Sequence, residues 1–151
     1  MARSFREKIA VFGYYLKNTF RYWRITLKLI FTYSKSEWSE ITVDELLDRF
    51  NSNNPPLILD IRAVPEFNDG HIPNARSIPI TKIAKSKELL PFKEKEIITY
   101  CPGGGLSLAA VDVLVKAGFK NVKSLREGMD LWVKKGYPTI FGKWTDWSQW
   151  L

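Results

Sequence analysis

The sequence predicts an α/β fold in which a central parallel sheet is flanked by helices. Two observations point to it. Short apolar runs, typical of strands buried on both faces, alternate along the chain with segments that carry helix-start and helix-stop signals. The chain also has 151 residues, 45% of them hydrophobic, which is enough for one domain with a real core. We expect that domain at residues 38–140, between an N-terminal helical extension and an aromatic tail.

The elements are predicted in chain order. A capping box at Thr42–Glu45 opens a helix over Val43–Phe50, because the threonine and glutamate side chains satisfy free amides of the first turn. Further segments carry helical signals: residues 80–90, residues 108–117 before Gly118, and residues 126 to about 136. The apolar runs predicted as strands are Leu57–Arg62, Glu96–Tyr100 and Asn121–Leu125.

The chain's only cysteine, Cys101, lies between a predicted strand and a predicted helix. Pro102 fixes the backbone and has no amide hydrogen to donate, while the glycines after it let the loop curl. The dipole of the next helix points its positive end at the same place. Both effects favour a thiolate, as a nucleophile or an anion carrier requires. The amides expected to converge on the sulfur are those of Gly103, Gly104, Gly105, Leu106 and Ser107.

Other interpretations of this loop fit less well. A cysteine that only packs does not need three adjacent glycines beside it. A phosphate-binding loop would need GxGxxG or GxxxxGK[ST], and neither motif is present. Ser107 is expected to cap the helix that follows rather than to act as a catalytic acid.

Several short motifs surround the loop. Their members are Leu59–Arg62, Glu66–Phe67, Gly70–Pro73 with Ala75, Ala117–Val122, and Leu125, Gly128, Met129 and Trp132. Together with the cysteine loop they occur in the order of the rhodanese family, which residues 41–140 resemble. The resemblance implies a sulfurtransferase in which Cys101 carries sulfane sulfur as a persulfide. No other cofactor is implied, and the loop Pro102–Ser107 is the implied binding site for the persulfide anion.

The loop departs from the family at two positions. Many rhodanese loops carry basic residues where this chain has Pro102 and Leu106. Small dianions such as thiosulfate depend on charge-assisted contacts, so we expect polysulfide or a protein persulfide to be the better donor. Arg76 or Arg126 are the cations that could approach the loop from elsewhere. The related phosphatases and arsenate reductases use a Cys-x5-Arg loop, and Ser107 stands at the arginine position, which argues against phosphoryl chemistry.

Four polar residues upstream are expected to support the site structurally. Asp60 and Arg62 end a strand, Glu66 is close enough in sequence to pair with Arg62, and His71 can lock its turn by bonding a backbone carbonyl. We do not expect a metal site, because one cysteine and one histidine cannot supply three or four ligands. With no second cysteine in the chain, the sulfur acceptor must be another molecule, namely a thiol, cyanide or a protein. The alternative function is a non-catalytic docking module.

The two ends of the chain differ from the domain. Residues 1–37 hold eight basic and two acidic residues, which is most of the net charge of +7. Their apolar residues recur at spacings of three and four, typical of amphipathic helices. Charges interrupt every window long enough to span a membrane, and no cleavage site follows the apolar stretch. We therefore expect a cytoplasmic protein; an organellar presequence is the alternative if the source is eukaryotic.

The C-terminal tail, residues 141–151, places an aromatic residue at every third position from Trp144 to Trp150. We expect the extension and the tail to serve association, first as a homo-oligomer, with peripheral membrane contact as the alternative. Nucleic-acid binding is not expected, because no motif for it is present.

Overall fold

A computed structural model of the protein describes residues 39–50 and 52–142. The predicted extension and nearly all of the predicted tail lie outside the described residues. The strands are β1 (Glu40–Ile41), β2 (Leu57–Asp60), β3 (Ala75–Ser77), β4 (Glu96–Tyr100) and β5 (Asn121–Leu125). The α-helices are α1 (Val43–Arg49), α2 (Val64–Asn68), α3 (Ile80–Ile83), α4 (Gly105–Lys116) and α5 (Gly128–Lys134), and a 3₁₀ helix spans Lys87–Phe92.

The five strands form one parallel sheet in the order β1-β5-β4-β2-β3, which confirms the predicted α/β class. Side chains of β4 alternate between the two faces of this sheet. Tyr100 joins the core cluster that includes Leu46 of α1, Phe67 of α2 and Trp132 of α5. Thr99 points the other way and bonds α4. Helices therefore cover both faces, and the carboxyl ends of β2, β4 and β5 stay available for a site.

Local sequence signals account for two of the helix boundaries. Thr42 and Glu45 form the predicted capping box, with Glu45 accepting the Thr42 amide at 2.8 Å. Helix α4 ends at Lys116, and Gly118 is the predicted glycine beyond its C-cap: its φ is +89°, and the Phe119 amide donates to the Leu114 carbonyl at 3.1 Å. Among the described residues no helix is long and apolar enough to cross a membrane.

The prediction of a single helix over residues 80–90 is wrong. The chain forms the short α3, turns at Ala84, and continues as the 3₁₀ helix Lys87–Phe92. Pro91 has no amide hydrogen and clashes with a preceding α-helical turn, which favours the tighter form. The last helix also begins at Gly128 rather than at Arg126, because Glu127 has a left-handed backbone with φ +58°.

Candidate active site around Cys101

Cys101 comes directly after β4, at the carboxyl edge of the sheet, and is 2% exposed. Its carbonyl accepts a hydrogen bond from the Met129 amide at 3.0 Å, and the Pro102 carbonyl accepts one from the Asp130 amide at 3.0 Å. Two donors of the first turn of α5 therefore hold the start of the loop.

Two glycines allow this close packing. Gly104 has φ +86°, and a methyl group added there would lie 2.9 Å from the Glu127 amide nitrogen. Gly128 has φ +52°, and a methyl group there would lie 2.0 Å from the Cys101 carbonyl oxygen. By contrast, Gly105 faces open space. The loop was expected to curve through three adjacent glycines. The structure instead requires glycine at Gly104 and at Gly128, the first residue of α5, which packs on the loop.

Helix α4 begins at Gly105, three residues earlier than predicted. Gly104 occupies the N-cap position, so the prediction that Ser107 caps the helix is wrong: Ser107 lies inside the first turn. The left-handed backbone of Gly104 turns the chain into the helix before Ser107 is reached. Among the described residues, no backbone carbonyl accepts a hydrogen bond from the amides of Gly103 or Gly104. The first-turn amides of α4 also have no acceptor within the helix.

The cysteine sulfur lies against this first turn. Its Sγ is 3.8 Å from the Oγ of Ser107, which donates to the Gly104 carbonyl at 2.6 Å and lies 2.7 Å from the Oγ of Ser124. The Thr99 hydroxyl donates to the Ser107 carbonyl at 3.1 Å. Thr99, Ser107 and Ser124 are fully buried, and we call them the hydroxyl cluster. The side-chain group that the structure places beside the sulfur is thus a neutral hydroxyl, that of Ser107.

Sequence reasoning missed Thr99 and Ser124. The structure pairs them directly across β4 and β5. The sequence does show a hydroxyl residue near the end of each of two apolar strands. That pattern indicates a cluster only when the register of the two strands is known.

A second polar group, which we call the charged cluster, consists of Asp60, Arg62 and Tyr100. The Arg62 guanidinium donates to the Asp60 carboxylate at 2.5 and 3.0 Å and to the Gly70 carbonyl at 2.7 Å. The Tyr100 hydroxyl accepts the Ile72 amide at 3.2 Å. Burial lowers the pKa of Arg62, but the hydrogen bond and charge of Asp60 outweigh it and raise that pKa. Burial, with Asp60, raises the pKa of Tyr100 well above its ordinary value.

Glu66 and His71 each form a side-chain hydrogen bond with the backbone of α2 or its N-cap. Glu66 accepts the Ala63 amide at 3.1 Å and so caps α2, rather than pairing with Arg62 as expected. The expected backbone bond of His71 is confirmed: Nδ1 donates to the Phe67 carbonyl at 2.9 Å, and the ring stacks on Phe67. Burial lowers the pKa of His71 despite that bond.

The predicted supporting residues therefore lie together around α2, apart from the hydroxyl cluster. Within residues 39–50 and 52–142, no hydrogen bond joins Asp60, Arg62, Glu66 or His71 to the Cys101 sulfur.

The two cations that could have approached the loop contact other groups. Arg126 points a guanidinium nitrogen at Glu40 of β1, at 3.5 Å. The Arg76 guanidinium lies over the Phe92 ring, 5.1 Å from its centroid. No residue from Cys101 to Ser107 is charged. In the described part of the chain, no group of three or more His, Cys, Asp or Glu side chains could hold a metal ion.

Comparison with known proteins adds the family context. Residues 42–135 match the family model of the rhodanese-like domain. The chain is 30% identical over 102 residues to a sulfurtransferase of Allochromatium vinosum, covering 68% of this chain and 94% of that protein. It is 35% identical over 83 residues to the thiosulfate sulfurtransferase GlpE of Coxiella burnetii, covering 55% and 76% respectively.

Solved structures show the same architecture. A rhodanese-like domain protein from Staphylococcus aureus superposes with a TM-score of 0.62 at 28% identity, covering 70% of this chain and 99% of that one.

Proposed function

Because this chain belongs to the rhodanese-like family, we propose that it transfers sulfane sulfur through a persulfide on Cys101. One observation carries the proposal: the buried sulfur lies 3.8 Å from the Ser107 hydroxyl in the first turn of α4, and among the described residues the Gly103 and Gly104 amides that lead into this turn have no backbone acceptor. The N-terminal turn of a helix is a favourable place for an anion such as a persulfide. Sulfurtransferases among its relatives, at about 30% identity, support sulfur transfer in general terms.

Loading begins with attack of the Cys101 thiolate on the outer sulfur of a donor R–S–SH. The Cys101 Sγ–S bond forms, the S–S bond of the donor breaks, and R–S⁻ leaves with its electron pair. The proton of the transferred sulfur then passes to R–S⁻ or to water. The persulfide then carries a negative charge one atom farther out than the thiolate did. The amides of Gly103 and Gly104 and the first turn of α4 are the donors available to it.

Delivery reverses the roles of the sulfurs. An acceptor thiolate or cyanide attacks the outer sulfur, and Cys101 leaves as a thiolate. Ser107 is the hydroxyl nearest to that leaving sulfur, at 3.8 Å. In the resting arrangement its proton points to the Gly104 carbonyl, and Ser124 lies on its other side. Rotation of this hydroxyl toward Sγ would supply a charge-assisted hydrogen bond as negative charge develops.

The donor we propose is a polysulfide or a protein persulfide in preference to thiosulfate. Thiosulfate releases sulfite as a dianion, so both the donor and its product need cations close to the sulfur. Pro102 and Leu106 supply none, and Arg76 and Arg126 contact other groups. The physiological acceptor is then a thiol, cyanide or a protein.

Intact mass spectrometry tests this function. Incubation with polysulfide should add sulfur atoms to the wild-type protein, dithiothreitol should remove them, and Cys101→Ser should take up none. Because Cys101 is the chain's only cysteine, each added sulfur reports this site. Absence of loading in the folded wild type would refute the carrier and favour a docking module with a rhodanese fold.

We also propose that the chain is cytoplasmic and self-associates through its ends. In the described part, Ile140 and Phe141 are exposed apolar residues at the point where the tail begins. Light scattering of the full-length protein should give a mass above one chain, and a monomer would refute this. Sedimentation with anionic liposomes would favour the membrane alternative in its place.

A further inference from the structure

One acidic side chain borders the cysteine loop. Asp130 lies in the first turn of α5, and its amide donates to the Pro102 carbonyl at 3.0 Å. Its carboxylate turns toward Gly103: a methyl group added at Gly103 would lie 3.7 Å from Oδ2. Both Gly103 and Asp130 are exposed, so this carboxylate stands at the solvent rim of the loop.

No cation of the loop offsets this charge, since residues 101–107 carry none. Glu127, whose backbone packs against Gly104, is a second acid beside the loop. The nearest arginine in sequence, Arg126, points its guanidinium at Glu40. A molecule that approaches the sulfur over Gly103 therefore meets a negative charge first.

We propose that Asp130 sets the charge specificity of this sulfur site, an inference that rests on the proposed function. The carboxylate disfavours small dianionic donors and favours a donor or acceptor whose reacting sulfur lies beside a positive charge. Gly103 is two residues from Cys101, so its Cα lies within about 7.6 Å of the Cys101 Cα. The carboxylate is exposed, so its influence on an approaching molecule falls off over the screening length of physiological salt, about 8 Å. Its effect must weaken as salt rises.

Methanethiosulfonate reagents test the proposal without requiring sulfur transfer. They react with a thiolate to form a mixed disulfide and release methanesulfinate, and Cys101 is the chain's only thiol, so the ratio of rates for two reagents of opposite charge reports charge selection at Cys101. We compare a trimethylammonium reagent with a sulfonate reagent of similar size. The wild type should react faster with the cationic reagent. Asp130→Asn should lower the ratio of cationic to anionic rates by about three- to tenfold, and raising the ionic strength should do the same to the wild type.

Asp48→Asn is the matched control. It makes the same charge change on the exposed end of α1, next to Arg49, which binds Glu96 at the amino end of β4. That is the edge of the sheet opposite Cys101, so the rate ratio should stay at the wild-type value.

Two results would overturn the proposal: a ratio that does not change in Asp130→Asn, or a faster reaction of the wild type with the anionic reagent. Sulfur loading, followed by mass, separates this failure from failure of the proposed function. An unchanged ratio with normal polysulfide loading removes the role of Asp130 alone. A shifted ratio without loading leaves the charge selection in place and refutes the sulfur carrier.

Discussion

Consecutive residues of β4 supply two polar clusters with different chemistry. Tyr100 joins the charged cluster with Asp60 and Arg62, whereas Thr99, on the opposite face, joins the hydroxyl cluster beside the sulfur. The charged cluster contains a buried ion pair but makes its bonds to the backbone around α2. The hydroxyl cluster contains no charge, yet it contacts the nucleophile. The comparison indicates that the buried ion pair holds the scaffold, while the side chain beside the buried sulfur is a neutral hydroxyl.

Arg62→Met should have the largest effect on stability. It leaves the Asp60 carboxylate buried without its partner, which costs about 3–5 kcal/mol. Urea unfolding measures this loss, and the sulfur-loading rate per folded molecule should stay near that of the wild type. Lys116→Met, which breaks the exposed pair with Asp112, should change stability by less than about 0.5 kcal/mol. Slower loading per folded molecule of Arg62→Met would show that the charged cluster acts on the sulfur.

Gly128→Ala tests how α5 holds the cysteine loop. The added methyl group would lie 2.0 Å from the Cys101 carbonyl oxygen, so the loop must move away from α5. We expect a loss of at least about 2 kcal/mol and a changed alkylation rate of Cys101. Gly136→Ala also places alanine at a positive φ, but in open space, and should cost about 1 kcal/mol without affecting Cys101. Equal effects of both substitutions on Cys101 would contradict the contact.

Ser107→Ala and Ser124→Ala separate the two members of the hydroxyl cluster nearest the sulfur. Each should cost about 1–2 kcal/mol of stability, because Ser107→Ala leaves the buried Ser124 hydroxyl without this partner and Ser124→Ala removes one of the two hydrogen bonds of the Ser107 hydroxyl. Only Ser107→Ala should slow sulfur release to an acceptor, by about tenfold, because it removes the donor to the leaving thiolate. Stopped-flow delivery to cyanide from preloaded protein measures this. Equal rates in the two variants would show that the cluster only packs.

His71→Gln should have the smallest effect, visible as a change in pH dependence. Burial lowers the pKa of His71 in the folded state below its ordinary value of 6.5, so the unfolded chain binds the proton more readily. The stability that neutral His71 contributes to the wild type should therefore be fully present above pH 6.5. It should be lost as the pH falls from 6.5 toward the lowered pKa of the folded state. Urea midpoints between pH 5 and 8 should show a shallower slope in His71→Gln. An unchanged slope would mean that other groups carry this dependence.

Much of the scaffold could be predicted from the sequence because local signals decide it. Glu96–Tyr100 and Asn121–Leu125 are strands within the predicted bounds, and the capping box of Thr42 and Glu45 forms as expected. The early start of α4 was missed because glycine has a low helix propensity, so Gly105 carries no signal of a first turn.

The site was predictable only at its centre. Cys101 and its glycines stand out in the sequence, but the hydroxyl cluster exists through the pairing of β4 with β5, which no local pattern specifies. The carboxylate of Asp130 reaches the loop because α5 packs its first turn on Cys101 and Pro102, which is again a tertiary contact.

The rates at which polysulfide and thiosulfate load Cys101 decide whether an uncharged loop selects the sulfur donor. In the wild type polysulfide should load faster, because Leu106 and its neighbours provide no cation for a small dianion. Leu106→Arg should raise the thiosulfate rate by about tenfold or more and change the polysulfide rate much less, with Leu106→Met as the uncharged control. If the wild type uses thiosulfate as its best donor and Leu106→Arg does not raise the thiosulfate rate, the uncharged loop does not select the donor.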